Sequence, residues 1–442
     1  MRSKPSSPGI IIAAPSSGSG KTVITLALLA ALKQSGCDVA SAKVGPDYID
    51  PAFHTAATER PCYNLDQWAM RTELLAGLCT ALSQSAPLVV CEGVMGLFDG
   101  ANSGAGSTAD LAALTGWPVV LVVDVRGQAA SAVATVRGFA SHREDVDIRG
   151  VIFNRVGSEA HRRVIETAMR DALPKIELLG FIPRSESLIL PERHLGLVQA
   201  REHQTIGAWL ENAARLLVKE IDLERFKSLA RPVTSPSRPP QAPLPPLGQH
   251  IAVARDDAFS FTYENVLDGW RRQNAEISFF SPLDNQSPAS SADAVYLPGG
   301  YPELHAGRLA GNRIFLQGLK NASRDAFIFG ECGGFMVLGE TLIDDTGAGH
   351  RMANLLPVKT SFANPKLHLG YRRAKTTVET PLGPRGVGFC GHEFHYCSAA
   401  LQSGGAASLF ECEDSSGSDI GAMGLIVGRV AGSFLHLIDH SA

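Results

Sequence analysis

The stretch Gly9–Thr22, GIIIAAPSSGSGKT, decides the fold of the first half of this chain. An apolar run of β-branched residues leads into a glycine- and serine-rich turn, and the turn into the apolar run that begins at Lys21. Strand, glycine turn and helix N-terminus in that order form a phosphate cradle, because the turn can aim its backbone N–H groups inward. Gly18 and Gly20 allow the close approach, with Ser17 and Ser19 completing the loop. Lys21 is placed to reach the β- and γ-phosphates of ATP, and Thr22 to bind Mg²⁺. Pro15 stands where the first glycine of such loops usually lies. Ser16 stands where dimerising partition ATPases carry a second lysine, which favours chemistry on a small molecule over a mechanical switch.

Outward from that loop, short apolar runs (Pro87–Cys91, Val119–Val125, Gly150–Phe153) alternate with helical stretches (Lys21–Lys33, Ala129–Phe139). This grammar predicts a parallel sheet covered on both faces. Glu92 ends one of these strands, and Asp47 and Asp50 follow another in Lys43–Pro51, KVGPDYIDP. Carboxylates beside a phosphate loop suit a hard cation, so all three are candidates for metal binding and phosphoryl activation. Asp124, at the end of Val119–Val125, is a weaker candidate that a strand-end cap explains equally well.

Composition shifts between Arg231 and Gln249, where seven prolines exclude helix and central strand and predict an extended linker. The expected layout is an ATP-binding domain over 1–230, a linker over 231–248 and a second domain over 249–442. In the second domain the strand–helix grammar restarts with Ile251–Ala254, Glu276–Phe280, Ala294–Leu297 and Ala326–Phe329. There the last strand enters Gly330-Glu331-Cys332-Gly333-Gly334, a nucleophile elbow with cysteine in the serine position. The following helix is expected to favour the thiolate. The N–H groups of Gly333 and of Gly300, in Leu297–Glu303 (LPGGYPE), are the candidate oxyanion donors. His436, after the strand-like run Gly424–Val430, is one candidate base. Gly391–Tyr396, GHEFHY, holds the rivals His392 and His395.

The chain has 442 residues, 45% hydrophobic and 19% charged, which suits two globular domains. A net charge of −4 leaves no basic stripe for nucleic acid. Eight scattered cysteines suit reduced thiols, and no run reads as a signal peptide or membrane span, so the expected location is the cytoplasm.

Across almost its full length the chain resembles the cobyrinic and hydrogenobyrinic acid a,c-diamide synthases of cobalamin biosynthesis. APSSGSGKT, KVGPDYIDP, EGVMGLFDG, YLPGGYPE, GECGGF, GHEFHY and GSFLHL occur in that family's order. The first half is similar to dethiobiotin synthetases, the second to class I glutamine amidotransferases of flavodoxin-like fold. The resemblance implies that Cys332, with His436 as base, frees ammonia from glutamine. It implies that the ammonia passes internally to the first domain, where ATP activates the c and a acetates of a corrinoid acid as acyl phosphates. It also implies that Asn154 touches the adenine. Many class I amidotransferases carry a glutamate two residues after the histidine, where Ile438 stands here. A Cys332–His436 dyad and a weak glutaminase follow, with Asp439 able to orient the imidazole only if the backbone turns. The metal-free corrinoid is the expected substrate. Another tetrapyrrole amidation, of cobyric acid synthase type, and an ATP-binding regulatory protein with a dead amidotransferase half are the alternatives. The implied partners are ATP, L-glutamine and the corrinoid, and a homodimer is compatible with the residues.

Overall fold

The computed structural model describes residues 7–102, 104–190, 192–193, 196–197, 205–234, 238–401 and 405–441. The chain divides into two compact units, Met1–Trp68 with Thr72–Pro240, and Ala69–Arg71 with Gln241–Ala442.

The first unit is built on a sheet ordered β3-β2-β4-β1-β5-β6-β7, from Pro8–Ala13 (β1), Val39–Val44 (β2), Tyr63–Leu65 (β3), Leu88–Glu92 (β4), Val119–Asp124 (β5), Ile148–Val156 (β6) and Glu177–Pro183 (β7). All seven run parallel. Ile10, Ile11, Ile12, Val119, Val120 and Leu121 are completely buried, as continuous apolar strands must be when both faces are covered. Helix Lys21–Gln34 (α1) is buried from Ile24 to Leu32, so its sequence is apolar all round rather than amphipathic. Because the strands are parallel, their carboxyl ends open on one edge, where ligands of such sheets bind. Register places Glu92 opposite both Lys43 and Ile12, so the ends of β4, β2 and β1 lie level.

The second unit carries a ten-stranded sheet whose first half alone follows the expected grammar. His250–Ala254, Glu276–Phe280, Ala294–Leu297, Phe327–Glu331 and Val430–Ser433 run parallel. From Val430–Ser433 outward the sheet continues antiparallel through Asp419–Val427, Ala407–Asp414, His368–Thr376, Gly388–His395 and Leu435–His440. The run Gly424–Val430, read as one strand, is two: Gly428, at φ 57°, makes the turn of a hairpin that pairs Val427 with Val430. His436 accordingly sits not at that strand's end but inside its own strand, Leu435–His440, opposite His392.

The described part of the proline-rich stretch is held along its length. Arg231–Pro232 adds an antiparallel pair to the start of β1. In the first unit the Arg238 N–H donates to Thr80 Oγ1. In the second, Leu244 and Leu247 are buried, Trp270 Nε1 donates to Pro245 O, and His440 N donates to Pro243 O. All eight cysteines are free thiols. Among the described residues no helix is long and apolar enough to cross a membrane.

Candidate functional site

In the first unit the chemistry gathers where β1, β2 and β4 end. The loop from Ala14 takes left-handed backbone at Gly18 (φ 77°) and Gly20 (φ 87°), the latter capping α1. A side chain at Gly20 would also strike Asn154 Nδ2 at 2.3 Å, so only glycine fits the bend. Ser19 Oγ donates to Ser16 O, while Ser17 is exposed.

Glu92 is the hub. Its Oε1 accepts from Lys21 Nζ at 3.0 Å, Thr22 Oγ1 at 2.6 Å and Lys43 Nζ at 2.9 Å, and its Oε2 meets His54 Nε2 at 2.7 Å. Lys43 also reaches Asp50 Oδ2 at 2.5 Å, and Thr22 Oγ1 lies 3.4 Å from that oxygen. Burial opposes the charge on Glu92, but Lys43 and Lys21 outweigh it and hold the carboxyl well below its usual range. Lys43 is the mirror case: burial opposes its charge, Asp50 and Glu92 prevail, and the ammonium is held well above its usual range. Burial and the neighbouring Lys43 charge lower Lys21. The structure therefore brings Lys21, Thr22, Asp50 and Glu92 together.

Asp47 has different work. Its Oδ1 accepts the N–H groups of Ile49 and Asp50 at 2.8 and 2.9 Å, tying down the start of helix Asp50–Thr58. Burial, with Asp50 alongside, pushes it up to about 6. Asp124 is bound by Arg126 and by Arg155 Nη1 at 2.6 Å, and the same guanidinium nitrogen donates to Gly18 O at 2.8 Å. Asn154 donates to Ser19 O at 2.9 Å and accepts from Arg155 N. Asn154 and Arg155 thus brace the phosphate loop from β6. They also line, with Gly20, Val23, Arg126 and Pro183, a cleft of about 530 Å³.

The second unit holds the thiol. Cys332 joins Phe327–Glu331 to the short helix Gly333–Leu338 at φ 48° and ψ −103°, the strained bend of a nucleophile elbow. Its N–H donates to Ser433 O, and its sulfur lies 3.8 Å from Phe394 O. A β-carbon on Gly299 would fall 2.3 Å from His436 Cε1, 3.1 Å from Nε2 and 3.3 Å from Cys332 Cβ. Only the absence of that atom lets the imidazole and the thiol share one space. A β-carbon on Gly333 would lie 3.1 Å from the Gly300 nitrogen, so the two oxyanion candidates adjoin each other.

Electrostatics correct one expectation. The helix N-terminus does not yield a resting thiolate: burial, reinforced by Glu303, pushes the Cys332 thiol far up, with the Gly333 N–H only partly opposing it. Burial, with His392 and His395 nearby, brings His436 down to about 3. The pair rests as thiol and neutral imidazole, and a proton must move between them for attack. Of the rival bases, His395 is engaged by Cys397 O at 3.0 Å and Glu393 Oε1 at 2.9 Å.

Residues 10–198 match the CobQ/CobB/MinD/ParA nucleotide binding domain, and residues 250–442 the CobB/CobQ-like glutamine amidotransferase domain. The chain is 52% identical over 436 residues to the hydrogenobyrinate a,c-diamide synthase of Brucella anthropi, covering 98% of each chain. It is 50% identical over 438 residues to that of Rhizobium meliloti, covering 98% of this chain and 99% of the relative. The chain belongs to the hydrogenobyrinate a,c-diamide synthase family.

Some of what this family member places at its sites escaped the sequence. Lys43 lies within KVGPDYIDP, yet a lysine in a buried strand reads as a surface residue until its two carboxylate partners are known. His54 and Cys62, 3.6 Å apart behind Glu92, carry no motif at all. Asp439 does not turn to His436: its Oδ2 accepts from Arg71 N at 2.8 Å and Nε at 3.0 Å, and its Oδ1 from Arg71 Nη2 at 3.0 Å. Ile438 is left unpaired between Leu437, which faces Gly391, and Asp439, which faces Cys390, so a bulge in the histidine's own strand breaks the alternation there. Asp439→Asn is therefore expected to lower stability by about 1–3 kcal/mol, since a half-buried guanidinium loses its counter-charge. Thermal melting and glutamine hydrolysis measured together check this: Tm falls while the glutaminase kcat stays.

Proposed function

We propose that the chain catalyses ATP- and glutamine-dependent amidation of the a and c acetate carboxylates of hydrogenobyrinic acid, in cobalamin biosynthesis. One observation carries the reading. A single chain holds both a phosphate loop converging on buried carboxylates and a cysteine elbow beside an imidazole, and relatives named for this reaction match it end to end.

At the second site Cys332 attacks the glutamine amide as His436 takes the thiol proton. The N–H groups of Gly300 and Gly333 receive the developing oxyanion, the C–N bond breaks as ammonia leaves with a proton from His436, and water then hydrolyses the remaining thioester to glutamate and the free thiol. At the first site Lys21 and the N–H groups of the loop around Ser17–Gly20 hold the ATP phosphates, and Asn154 fixes the loop at the cleft that would take the base. A substrate carboxylate attacks the γ-phosphorus and ADP leaves. Ammonia then attacks the acyl carbon and phosphate departs, which overcomes the poor reactivity of a free carboxylate. Thr22, Asp50 and Glu92 present a hydroxyl and two carboxylates at one point, a hard-oxygen set that fits Mg²⁺; Asp47 orients the segment that carries Asp50. When bound there, Mg²⁺ would neutralise phosphate charge.

Incubation with hydrogenobyrinic acid, ATP, Mg²⁺ and L-glutamine, followed by mass spectrometry, tests the assignment. Two successive acid-to-amide conversions are expected. Preferential turnover of the cobalt-containing acid would overturn the choice of substrate.

A further inference from the structure

Asp439, Glu393 and Glu331 lie near the His436 ring or its strand, and the first two are committed elsewhere. Asp439 is bound by Arg71, and Glu393 is bound by Arg372 Nη2 at 2.7 Å and by His395. The third is Glu331, the residue immediately before the nucleophile. Its Oε2 lies 4.0 Å from His436 Nδ1, with both side chains buried. Resting on the glutaminase reading above, we propose that Glu331 is the positioning residue for His436, taking the part of the acid that is missing at Ile438.

The geometry supports this from both ends of the imidazole. The Cε1–Nε2 side faces Gly299 and Cys332, which turns Nδ1 toward Glu331. Glu331 itself is fixed at two points. Tyr296 OH donates to Oε2 at 2.6 Å, and the Leu437 N–H donates to Oε1 at 3.0 Å. The second bond grips the backbone beside His436, so one carboxyl aligns both the ring and the strand that carries it. Two donors on its two oxygens favour the carboxylate, although burial pushes Glu331 up to about 7. Four ångströms is too long for a hydrogen bond. Such contacts tighten as the ring becomes imidazolium on taking the Cys332 proton, when a carboxylate facing Nδ1 gains most.

The test is steady-state kinetics of the full-length protein carrying Glu331→Gln. The kcat for glutamine hydrolysis is expected to fall on the order of 100-fold, with KM for glutamine little changed. Amidation driven by ammonium salts should persist. His436 is faced by His392 and His395 from the neighbouring strand, by Glu331, and by Cys332 with Glu303 behind it. All but Glu331 remain in the variant, so the wild-type kcat/KM for glutamine should carry an acidic limb near pH 7, where Glu331 takes up a proton, and the variant should lack that limb.

A variant with wild-type glutaminase and the same acidic limb would overturn the proposal. So would equal loss of the glutamine- and ammonium-driven reactions, which would assign Glu331 to folding. Should Glu331→Gln not fold, Tyr296→Phe removes only the hydroxyl that aims Oε2. It is expected to lower the glutaminase kcat several-fold, and an unchanged kcat would count against the proposal. Failure of the underlying reading looks different: Cys332→Ser would then hydrolyse glutamine as fast as the wild type.

Discussion

Replacing Cys332 with serine is expected to abolish glutamine-dependent amidation while leaving the ammonium-driven reaction intact. Serine fills the same strained bend, so the elbow should survive. An alkoxide is far harder to form than a thiolate, however, and His436, at about 3 in its buried site, is a weak base for that task. Loss of a nucleophile that acts as a unit with its base costs on the order of 10⁴-fold or more. Amidation assayed with L-glutamine and with ammonium chloride, side by side, reads both activities. Loss of both would contradict two separable chemistries. The same burial that raises the thiol explains why a weak resting glutaminase is expected: the pair starts neutral, and substrate must help to separate the charge.

Glu92→Gln is expected to stop amidation from either nitrogen source while glutamine hydrolysis continues. One carboxylate oxygen collects Lys21, Thr22 and Lys43, so its neutral isostere disperses the cluster that aligns phosphate and metal. A fall in kcat of at least about 10²–10³ is expected from losing such a preorganised charge. Stability should fall too, by about 3–5 kcal/mol, because Lys43 and Lys21 stay buried with less counter-charge. The pH dependence has a definite sign. The folded-state pKa of Glu92 lies well below the unfolded value, so its contribution is complete above about pH 4.5 and is lost as pH falls through the folded pKa. Denaturant titrations across that range should show a steep acid loss in the wild type and a flatter curve in the variant. A variant equally acid-sensitive and fully active would remove Glu92 from the centre of the site.

Local order explains what could be read early. The phosphate loop needs a strand, a glycine bend and a helix start within fourteen consecutive residues, and the elbow needs even fewer. Short-range sterics specify both, so Lys21, Thr22 and Cys332 were legible one after another. Glu92 and Asp50 were legible because acids at strand ends have few purposes beside such a loop. Lys43 was not, since a buried lysine makes sense only once register sets it opposite Glu92, 49 residues away. Asn154 shows the same limit from another side: its position was readable, but not that its amide spans to Ser19 O.

From its residues alone, then, this chain determined two α/β units, a phosphate cradle and a thiol on a sharp bend, because each depends on contiguous chain geometry. Only the tertiary structure decided which acid faces the histidine, which carboxylates share a lysine, and that the last strands run antiparallel. Those outcomes depend on register, on the turn at Gly428 and the bulge at Ile438, and on burial, which raises one group and lowers another by amounts that no local pattern encodes.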